Sequence, residues 1–574
     1  MEFQGKKILV LGGAGLVGQP ICKLAAEEGV SEITICSLYE HESVEFAQGM
    51  AEQFPKLKIN RFWGNIFVRH AFKDMPLAEI IADPTKRRML IGDIMNPLNR
   101  DILSKSSIFY LLSTYKPDIV VDSINTATGI AYQNIYGVSK EVLNTFDKKA
   151  SLNEIQNTVE KLLCTQYIPQ LIRHVQIFLQ SMVENKTKFY LKIGTCGTGG
   201  MGLNIPYTHS EDKPSQMLLS KSSVAGGHSL LMFLMARTPG GPIIKELKPA
   251  AAIAWKRVAL GTLKKKGKEI MLEDVGLNEA VLLKGSLSKT LTTTPKYLQE
   301  GGRPKPLMAP FIDSGENGLF SLGEFEAITD EGQMEFITPE EIAQCAIWEI
   351  KGLNTGHDIV AALDNSTMGP TYRAGYMRNG AIAELRKMIK ETGIDSVAFE
   401  QLGPPRLSKL LYEAHLLKLC YGTFEKVIAA KTDSVVKALE EKITSDSDLR
   451  SRIISIGIPI LLSSGDKLLK GSYMAIPVDV PGQPQATFEI TNDSINKWAH
   501  DGWVDLRAAN ISSWQARLKK IKESIDSIPK EDTSSFETKG RHYWQDEGGE
   551  YPIAIAKLVS YIFINEEEGI RMKW

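Results

Sequence analysis

Three glycines near the amino terminus have the spacing of a phosphate-binding loop. Gly12, Gly15 and Gly18 stand in "LVLGGAGLVGQP", between an apolar run and a helical pattern. Glycine permits positive φ and carries no Cβ that would keep an anion away from the backbone, and the first turn of a helix offers N–H groups without acceptors. The pattern predicts a site for the diphosphate of NAD or NADP, with Leu16 and Val17 as further contacts.

A second group of residues could transfer protons. Tyr136 and Lys140 stand in "YGVSK", and Lys221 stands in "KPSQMLLSKSS". A tyrosine four residues before a lysine lies on the same face of a helix, where the ammonium lowers the pKa of the phenol. Such a pair is typical of general acid catalysis at a carbonyl oxygen.

Alternating strand and helix patterns position these residues. The helix pattern "AGLVGQPICKLAAEEG" lies between the first two strands and completes a βαβ unit. The predicted strands are "KKILVLGG", "SEITICSL", "LKINRFWGNIF", "RRMLIGDI", "KPDIVVDSIN", "TKFYLKIGTCGTGG" and "GPIIKELKPAAAIAW". Right-handed crossovers between such strands predict an α/β fold with a doubly wound parallel sheet of the Rossmann type.

The chain is too long for one ordinary core. Its 574 residues predict at least two domains. We predict a dinucleotide-binding domain over residues 1–370, with insertions at about 67–87 and 130–165, and a mainly helical extension over 371–574. Long amphipathic patterns such as "RLSKLLYEAHLLKLCYGTFEKVIAA" indicate the extension.

Composition narrows the class of ligand. The formal net charge is -1, and 43% of the residues are hydrophobic. This balance predicts no nucleic-acid or membrane partner and favours a small-molecule substrate, while a homo-oligomer stays open. Neither a signal peptide nor a membrane span is expected, and the six cysteines form no C-x-x-C pair. The sequence therefore predicts a cytoplasmic protein without a metal.

The motifs in the first 365 residues together resemble the short-chain dehydrogenase/reductases of the extended, epimerase/dehydratase-like type. "GGAGLVG" resembles their phosphate loop, "YKPDIVVDSINTA" their fourth strand and "FITPEEIAQCAIWEI" a late helix. "LIGDIMNP" resembles the end of their third strand, which implies that Asp93, with Ile94, contacts the adenine. The alternative for Asp93 is an N-cap of the following helix.

The choice between NAD and NADP rests on the end of the second strand. NAD enzymes usually place a carboxylate there, and NADP enzymes an arginine. This chain has Ser37 in that place, Glu40 three residues later, and no Arg or Lys in "TICSLYEHE". The missing cation favours NAD.

The resemblance also shows that the usual catalytic tyrosine is missing. Lys221 takes the family's lysine position, but Met217 stands four residues before it, and a thioether has no proton to give. Either Tyr136 supplies the proton, or Tyr207 or His209 does, or no hydride chemistry takes place. Thr195 and Thr198 stand where the family keeps the serine that holds the substrate oxygen.

The sequence thus predicts an atypical NAD(P)-dependent oxidoreductase or epimerase/dehydratase-like protein of unknown substrate. The alternative is a dinucleotide-binding scaffold or sensor without hydride transfer. If Met217 is the only defect of an intact site, Met217→Tyr should raise reductase activity and Tyr136→Phe should have no effect. A loss of activity in Tyr136→Phe would instead identify Tyr136 as the acid.

Overall fold

The computed structural model divides the chain into two compact units. The first comprises Met1–Gly200, Pro214–Ala254 and Glu335–Gly375, and the second comprises Met201–Lys213, Trp255–Met334 and Tyr376–Trp574. The structure describes residues 1–567 except 132, 195–215, 250–253, 266, 288–295, 316–317, 331–336, 354–358, 361–364, 369–370, 402–403, 479–486 and 533.

The strands are numbered in chain order through both units. They are β1 (Lys7–Leu11), β2 (Glu32–Ser37), β3 (Lys58–Trp63), β4 (Ile119–Asp122), β5 (Phe189–Ile193), β6 (Ile243–Pro249), β7 (Arg257–Thr262), β8 (Lys264–Lys265), β9 (Lys268–Glu269), β10 (Val281–Leu282), β11 (Gly285–Ser286), β12 (Gln299–Glu300), β13 (Arg303–Pro304), β14 (Met308–Asp313), β15 (Leu319–Phe320), β16 (Ile359–Val360), β17 (Asn365–Met368), β18 (Ile460–Leu461), β19 (Lys467–Leu469), β20 (Glu489–Ile490) and β21 (Val504–Asp505).

The helices are numbered in the same way. They are α1 (Gly18–Glu27), α2 (Glu40–Gln53), α3 (Leu77–Ala82), α4 (Pro84–Met95), α5 (Arg100–Lys105), α6 (Ser107–Tyr115), α7 (Thr126–Ala131), α8 (Ile135–Asp147), α9 (Leu152–Cys164), α10 (Tyr167–Glu184), α11 (Gln216–Ala236), α12 (Leu322–Ile328), α13 (Pro339–Lys351), α14 (Tyr372–Thr392), α15 (Pro405–Tyr421), α16 (Phe424–Ala429), α17 (Thr432–Ser445), α18 (Ser447–Ser455), α19 (Asn492–Gly502), α20 (Ala508–Asp526), α21 (Ser535–Trp544) and α22 (Ile555–Asn565).

The first unit contains the predicted doubly wound sheet. Within its described residues the strand order is β16-β17-β6-β5-β4-β1-β2-β3. The pairs from β3 to β17 are parallel, and only the edge pair β16–β17 is antiparallel. The order reverses between β1 and β4, and in sheets of this kind ligands bind above the carboxyl ends of the strands at that point. The α/β fold class predicted from the sequence is confirmed.

Apolar side chains cover both faces of this sheet. On one face, α1, α2 and α13 pack against residues such as Ile8, Ile33 and Ile119. On the other face, α6, α10 and α11 pack against Leu9 and Val120. Burial on both faces explains why the strands have nearly continuous apolar runs in the sequence.

The prediction of a strand at "RRMLIGDI" is wrong. These residues form most of helix α4. Asp83 caps this helix by accepting hydrogen bonds from the N–H groups of Thr85 (2.8 Å) and Lys86 (3.1 Å), and Pro84 takes its first position. The buried residues Arg87, Leu90 and Ile94 recur at helical spacing. The third strand of the sheet is instead the other candidate, "LKINRFW".

The second unit is built mostly of helices with small sheets. A three-stranded sheet, β15-β14-β7, and a four-stranded sheet, β10-β19-β18-β21, belong to its described part. Trp498, Trp503 and Trp514 are buried there. Residues 255–334, which the sequence placed with the dinucleotide-binding domain, belong to this unit. No helix among the described residues of the chain is both long and apolar enough to cross a membrane.

Candidate functional site

The loop between β1 and α1 has glycines where side chains would not fit. Gly12 has φ +74°, in the left-handed region, and a Cβ on Gly18 would lie 2.1 Å from the carbonyl oxygen of Gly12. A Cβ on Gly15 would lie 3.1 Å from the same oxygen. The glycines therefore allow the tight turn and the close approach of the helix to the strand.

The same loop presents backbone donors. The N–H of Gly13 donates to Cys36 O (2.8 Å), and the N–H of Gly15 donates to Gly12 O (2.9 Å). Among the described residues, no acceptor is found for the N–H groups of Leu16, Val17 and Gly18, and α1 has no side-chain N-cap. Unpaired amides at a helix amino terminus, beside glycines that carry no Cβ, fit a dinucleotide diphosphate.

The end of β2 carries a carboxylate from the next helix. Ser37 is buried and donates a hydrogen bond from Oγ to Glu42 Oε2 (2.5 Å). Glu42 lies in the first turn of α2. The sequence had pointed to Ser37 at this place, with Glu40 nearby, and the carboxylate that Ser37 contacts is that of Glu42.

Asn65, which the sequence analysis missed, lies two residues after the end of β3. Asn65 follows Gly64 directly after β3, and its Oδ1 accepts from the N–H of Phe67 (2.9 Å). Asp93 and Ile94 lie instead on α4. Asp93 is ion-paired with Arg69, whose Nε donates to Oδ2 (2.7 Å). The predicted contact between Asp93 and the adenine assumed that Asp93 lies at the end of the third strand. In the structure Asp93 lies in a helix, and Asn65 is the polar residue that follows that strand.

A buried ion pair links the ends of β4 and β5. Lys192 Nζ lies 3.0 Å from Asp122 Oδ1 and donates to Ile124 O (2.5 Å) and Thr126 Oγ1 (3.2 Å). Tyr190 donates its hydroxyl to Asp122 Oδ2 (2.9 Å). Burial alone would raise the pKa of Asp122, but the Lys192 ammonium, which also hydrogen-bonds the carboxylate, and the N–H of Ile124, which donates to Oδ1 (2.9 Å), outweigh it and lower the pKa. Lys192 thereby fixes the loop that follows β4.

A histidine and a glutamate extend this polar cluster. His228 of α11 and Glu246 of β6 line a small cavity with Lys192 and Asn125. Burial lowers the pKa of His228 to about 3, with help from the charge of Lys192, and burial raises the pKa of Glu246. A Cβ on Gly194 would lie 2.2 Å from Glu246 Oε1, so the carboxyl group occupies the space at the end of β5.

The two predicted proton-transfer segments come together in the first unit. Tyr136 lies in the first turn of α8, and its hydroxyl is 3.5 Å from Ser220 Oγ of α11. Ser220 directly precedes Lys221, and Met217 lies one turn earlier on the same helix. Tyr136 is 39% exposed, so the residue is accessible to solvent. The structure thus brings Tyr136 to the helix that carries Lys221.

Four predicted site residues lie outside the described residues. They are Thr195, Thr198, Tyr207 and His209. The polar cluster around Lys192 was missed from the sequence. The sequence feature that could have revealed this cluster is a charged residue near the carboxyl end of each of two apolar strands: Asp122 in "IVVD" and Lys192 in "FYLKI".

The C-terminal half of the chain matches a known family. The family model of the beta-methylindole-3-pyruvate reductase C-terminal domain matches residues 278–567, half of the chain. The chain belongs to this family. None of the curated proteins matches the chain.

Several solved structures show weak similarity. Pen from Bacillus thuringiensis is 13% identical over 43% of this chain and 50% of its own, with a TM-score of 0.22. A short-chain dehydrogenase from Sphingobium yanoikuyae in complex with NADPH is 9% identical over 67% and 96%, with a TM-score of 0.28. A short-chain dehydrogenase from Salmonella enterica serovar Typhi is 10% identical over 44% and 79%, with a TM-score of 0.24. The strand order itself, and not these similarities, establishes the fold.

Proposed function

We propose that the protein is an NAD-dependent oxidoreductase that reduces the ketone of an aromatic 2-oxo acid. The observation that carries the proposal is the β1–α1 loop, with its unpaired amides and its glycines that leave no room for Cβ atoms. The substrate class comes from the family, whose description is a beta-methylindole-3-pyruvate reductase domain. The dinucleotide, when bound, supplies the hydride.

In this proposal the first unit binds and orients the cofactor. Gly12, Gly15, Leu16, Val17 and Gly18 hold the diphosphate. Ser37 and Glu42 bind the adenosine ribose. Lys221 binds the nicotinamide ribose, as the resemblance to short-chain dehydrogenases implies. Lys192 acts as a positioning residue, because it holds the Ile124 carbonyl and the Thr126 hydroxyl at the end of β4.

Tyr136 is the proposed proton donor. Reduction adds a hydride to the carbonyl carbon and a proton to the carbonyl oxygen, and Met217 cannot give that proton. The Tyr136 hydroxyl reaches α11 beside Lys221 from a different helix. Tyr207 and His209 stay the alternative donors, with Thr195 and Thr198 as proposed contacts of the substrate oxygen.

The proposed preference for NAD follows from charge. The Glu42 carboxylate can accept hydrogen bonds from ribose hydroxyl groups at the end of β2, and it would repel a 2′-phosphate there. We expect NADH to bind more tightly than NADPH in a fluorescence titration. Glu42→Gln should reduce the difference in affinity between NADH and NADPH, because it removes the negative charge that repels the 2′-phosphate. Equal affinities in the unchanged protein would contradict the preference.

Activity is tested with purified protein, NADH and indole-3-pyruvate. Net oxidation of NADH, followed by absorbance, with formation of the 2-hydroxy acid supports the reductase. An epimerase or dehydratase returns the hydride within each turnover and would give no net oxidation. Binding of NADH without turnover of any aromatic 2-oxo acid would favour the scaffold function.

The proton donor is tested by substitution of two tyrosines. The sequence predicted no effect of Tyr136→Phe only if Met217 is the sole defect of the site, and left Tyr136 open as the acid. With the hydroxyl beside α11, we expect kcat to fall by about 10²-fold or more while the affinity for NADH stays the same. Tyr110→Phe, at another partly exposed tyrosine of the same unit, serves as the control. Wild-type kcat in Tyr136→Phe, or a large gain in Met217→Tyr, would exclude Tyr136 as the donor.

A further inference from the structure

Arg173 on α10 is a buried cation whose donors are not all used. The residue is 8% exposed and lines a cavity in the first unit. Its Nη2 donates to the carbonyl oxygens of Asn96 and Ile94. Its Nε and Nη1 are buried and have no hydrogen-bond partner in the described part of the chain. A buried guanidinium with unpaired donors is costly, because it remains charged at any pH that proteins tolerate.

The nearby acid does not balance this charge. Asp93 lines the same cavity, but Arg69 binds it through both Nε and Nη2. His174, the remaining titratable group of the lining, is held neutral near pH 7 because burial lowers its pKa to about 4. Among the described residues of the lining, Asp93 balances Arg69, and the charge of Arg173 leaves a net charge of +1.

The size and the walls of the cavity limit what can neutralise Arg173. The cavity has a volume of about 50 Å³. Because one water needs roughly 10–15 Å³ on this measure, the space admits only a few heavy atoms. Most of the wall is apolar, with Ile66, Phe67, Val68, Leu77 and Leu90 among its residues. Water could accept from the unpaired N–H groups, but it would leave the charge unbalanced.

The polar groups of the wall do not compete for the ligand. The amides of Gln133 and Gln170 bind each other, with Nε2 to Oε1 distances of 2.7 Å and 3.2 Å. Gln170 also donates to Cys164 O (2.6 Å). The two glutamine side chains already hydrogen-bond each other, whereas the Nε and Nη1 groups of Arg173 have no acceptor among the described residues.

We infer that this cavity is a binding site for a small monovalent anion, such as chloride, nitrate or formate, held by the Nε and Nη1 groups of Arg173. The anion balances the guanidinium and accepts its unused N–H groups. It thereby joins α10 to α4 and to the segment after β3, whose residues form the wall. The inference does not rest on the proposed oxidoreductase function.

Thermal unfolding in matched salts tests the site. Sodium chloride should raise the melting midpoint of the intact protein by a few degrees, with saturation, relative to sodium gluconate at the same ionic strength. Gluconate is too large for the cavity, so the difference isolates specific binding. Arg173→Met should abolish the difference, whereas Arg61→Met, at an exposed arginine of the same unit, should retain it. Equal midpoints in the two salts, or an unchanged difference in Arg173→Met, would overturn the inference.

Crystals grown with sodium bromide provide a second measurement that needs no variant. An anomalous peak within hydrogen-bond distance of Arg173 Nε or Nη1 is the expected result. A well-ordered Arg173 without a bromide beside it would overturn the inference. This measurement tests the site even if Arg173→Met fails to fold.

Discussion

Gly18 shows how one missing Cβ can permit a tight turn. Its absent Cβ lets the start of α1 approach Gly12 O. The N–H groups of Leu16 and Val17 have no acceptor among the described residues, and we propose that they bind the diphosphate. The residue types and their spacing sufficed to predict this loop, because a G-x-x-G-x-x-G turn between strand and helix has few alternative conformations.

Gly18→Ala should abolish dinucleotide binding and lower the melting midpoint. The new Cβ would lie 2.1 Å from a backbone oxygen, and backbone cannot move aside without breaking the turn. A fluorescence titration with NADH and a thermal melt measure the two effects. The control is Gly49→Ala on α2, where a Cβ meets nothing within 4 Å. That change should stabilise the protein by about 0.5–1 kcal/mol. Unchanged NADH affinity in Gly18→Ala would contradict the assigned role of the loop.

Other residues of the candidate site could not be found from the sequence. Asp93 and Asn65 both follow apolar runs, and only the structure shows which run forms β3. The contact of Tyr136 with Ser220 joins residues 84 positions apart in sequence. A spacing rule identifies neighbours within one helix, but it cannot identify a neighbour on another helix.

At the scale of elements, α10 and α11 meet through buried histidines. His174 of α10 and His228 of α11 have ring centroids 6.2 Å apart, edge to face, and His174 also contacts Phe67 and Phe178. Burial lowers the pKa of His174 to about 4 and that of His228 to about 3. The contact therefore requires neutral rings.

Acid should weaken this contact more than it weakens the rest of the first unit. The folded-state pKa of His174 lies below the unfolded value of about 6.5, so between pH 6.5 and 4 the unfolded state binds the extra proton and stability falls as pH falls. We expect a loss of roughly 3 kcal/mol from His174 by pH 4. Melting midpoints of His174→Phe should fall less over this range than those of the unchanged protein.

His41→Phe provides the matched control for the pH series. His41 is an exposed histidine of α2, so its removal should leave the pH dependence of the melting midpoint as it is in the unchanged protein. If the melting midpoint of His174→Phe varies with pH in the same way as that of the unchanged protein, protonation of His174 does not destabilise the fold as we expect.

Helix α4 illustrates what limits prediction of elements. The letters "RRMLIGDI" fit a short apolar strand as well as the end of a helix, because a run of that length does not separate the two periods. The signal that decides lies upstream, in Asp83 and Pro84, which cap and start the helix. Cap residues therefore carried more information than the apolar run itself.

At the scale of the whole molecule, the chain passes between the two units more than once. Residues 255–334 leave the first unit, and Glu335–Gly375 returns to it. The predicted boundary at residue 370 marks only the last of these passages. Short strands such as β8, β9 and β12 gave no periodic signal to separate residues 255–334 from the sheet domain.

A fragment of residues 1–370 should aggregate. Its segment 255–334 would lose partners within the second unit: Ser396 Oγ donates to Pro310 O (2.7 Å), and Glu324 Oε1 accepts from the N–H groups of Phe399 (2.8 Å) and Glu400 (3.0 Å). The core side chain Phe325 belongs to this segment. Size-exclusion chromatography checks the result, with the full chain as the control. A monodisperse 1–370 fragment with a cooperative melt would show that the segment does not need the rest of its unit.

The pairing of β17 with β6 imposes an order on biosynthesis. β17 lies parallel to β6, with Asn365 opposite Glu246. A ribosome must therefore translate residues 250–364 before β17 can dock on β6. Until then, the nascent polypeptide displays an open edge of β6, and such edges are templates for mispairing between chains. Chaperones that shield newly made chains should matter most during this interval.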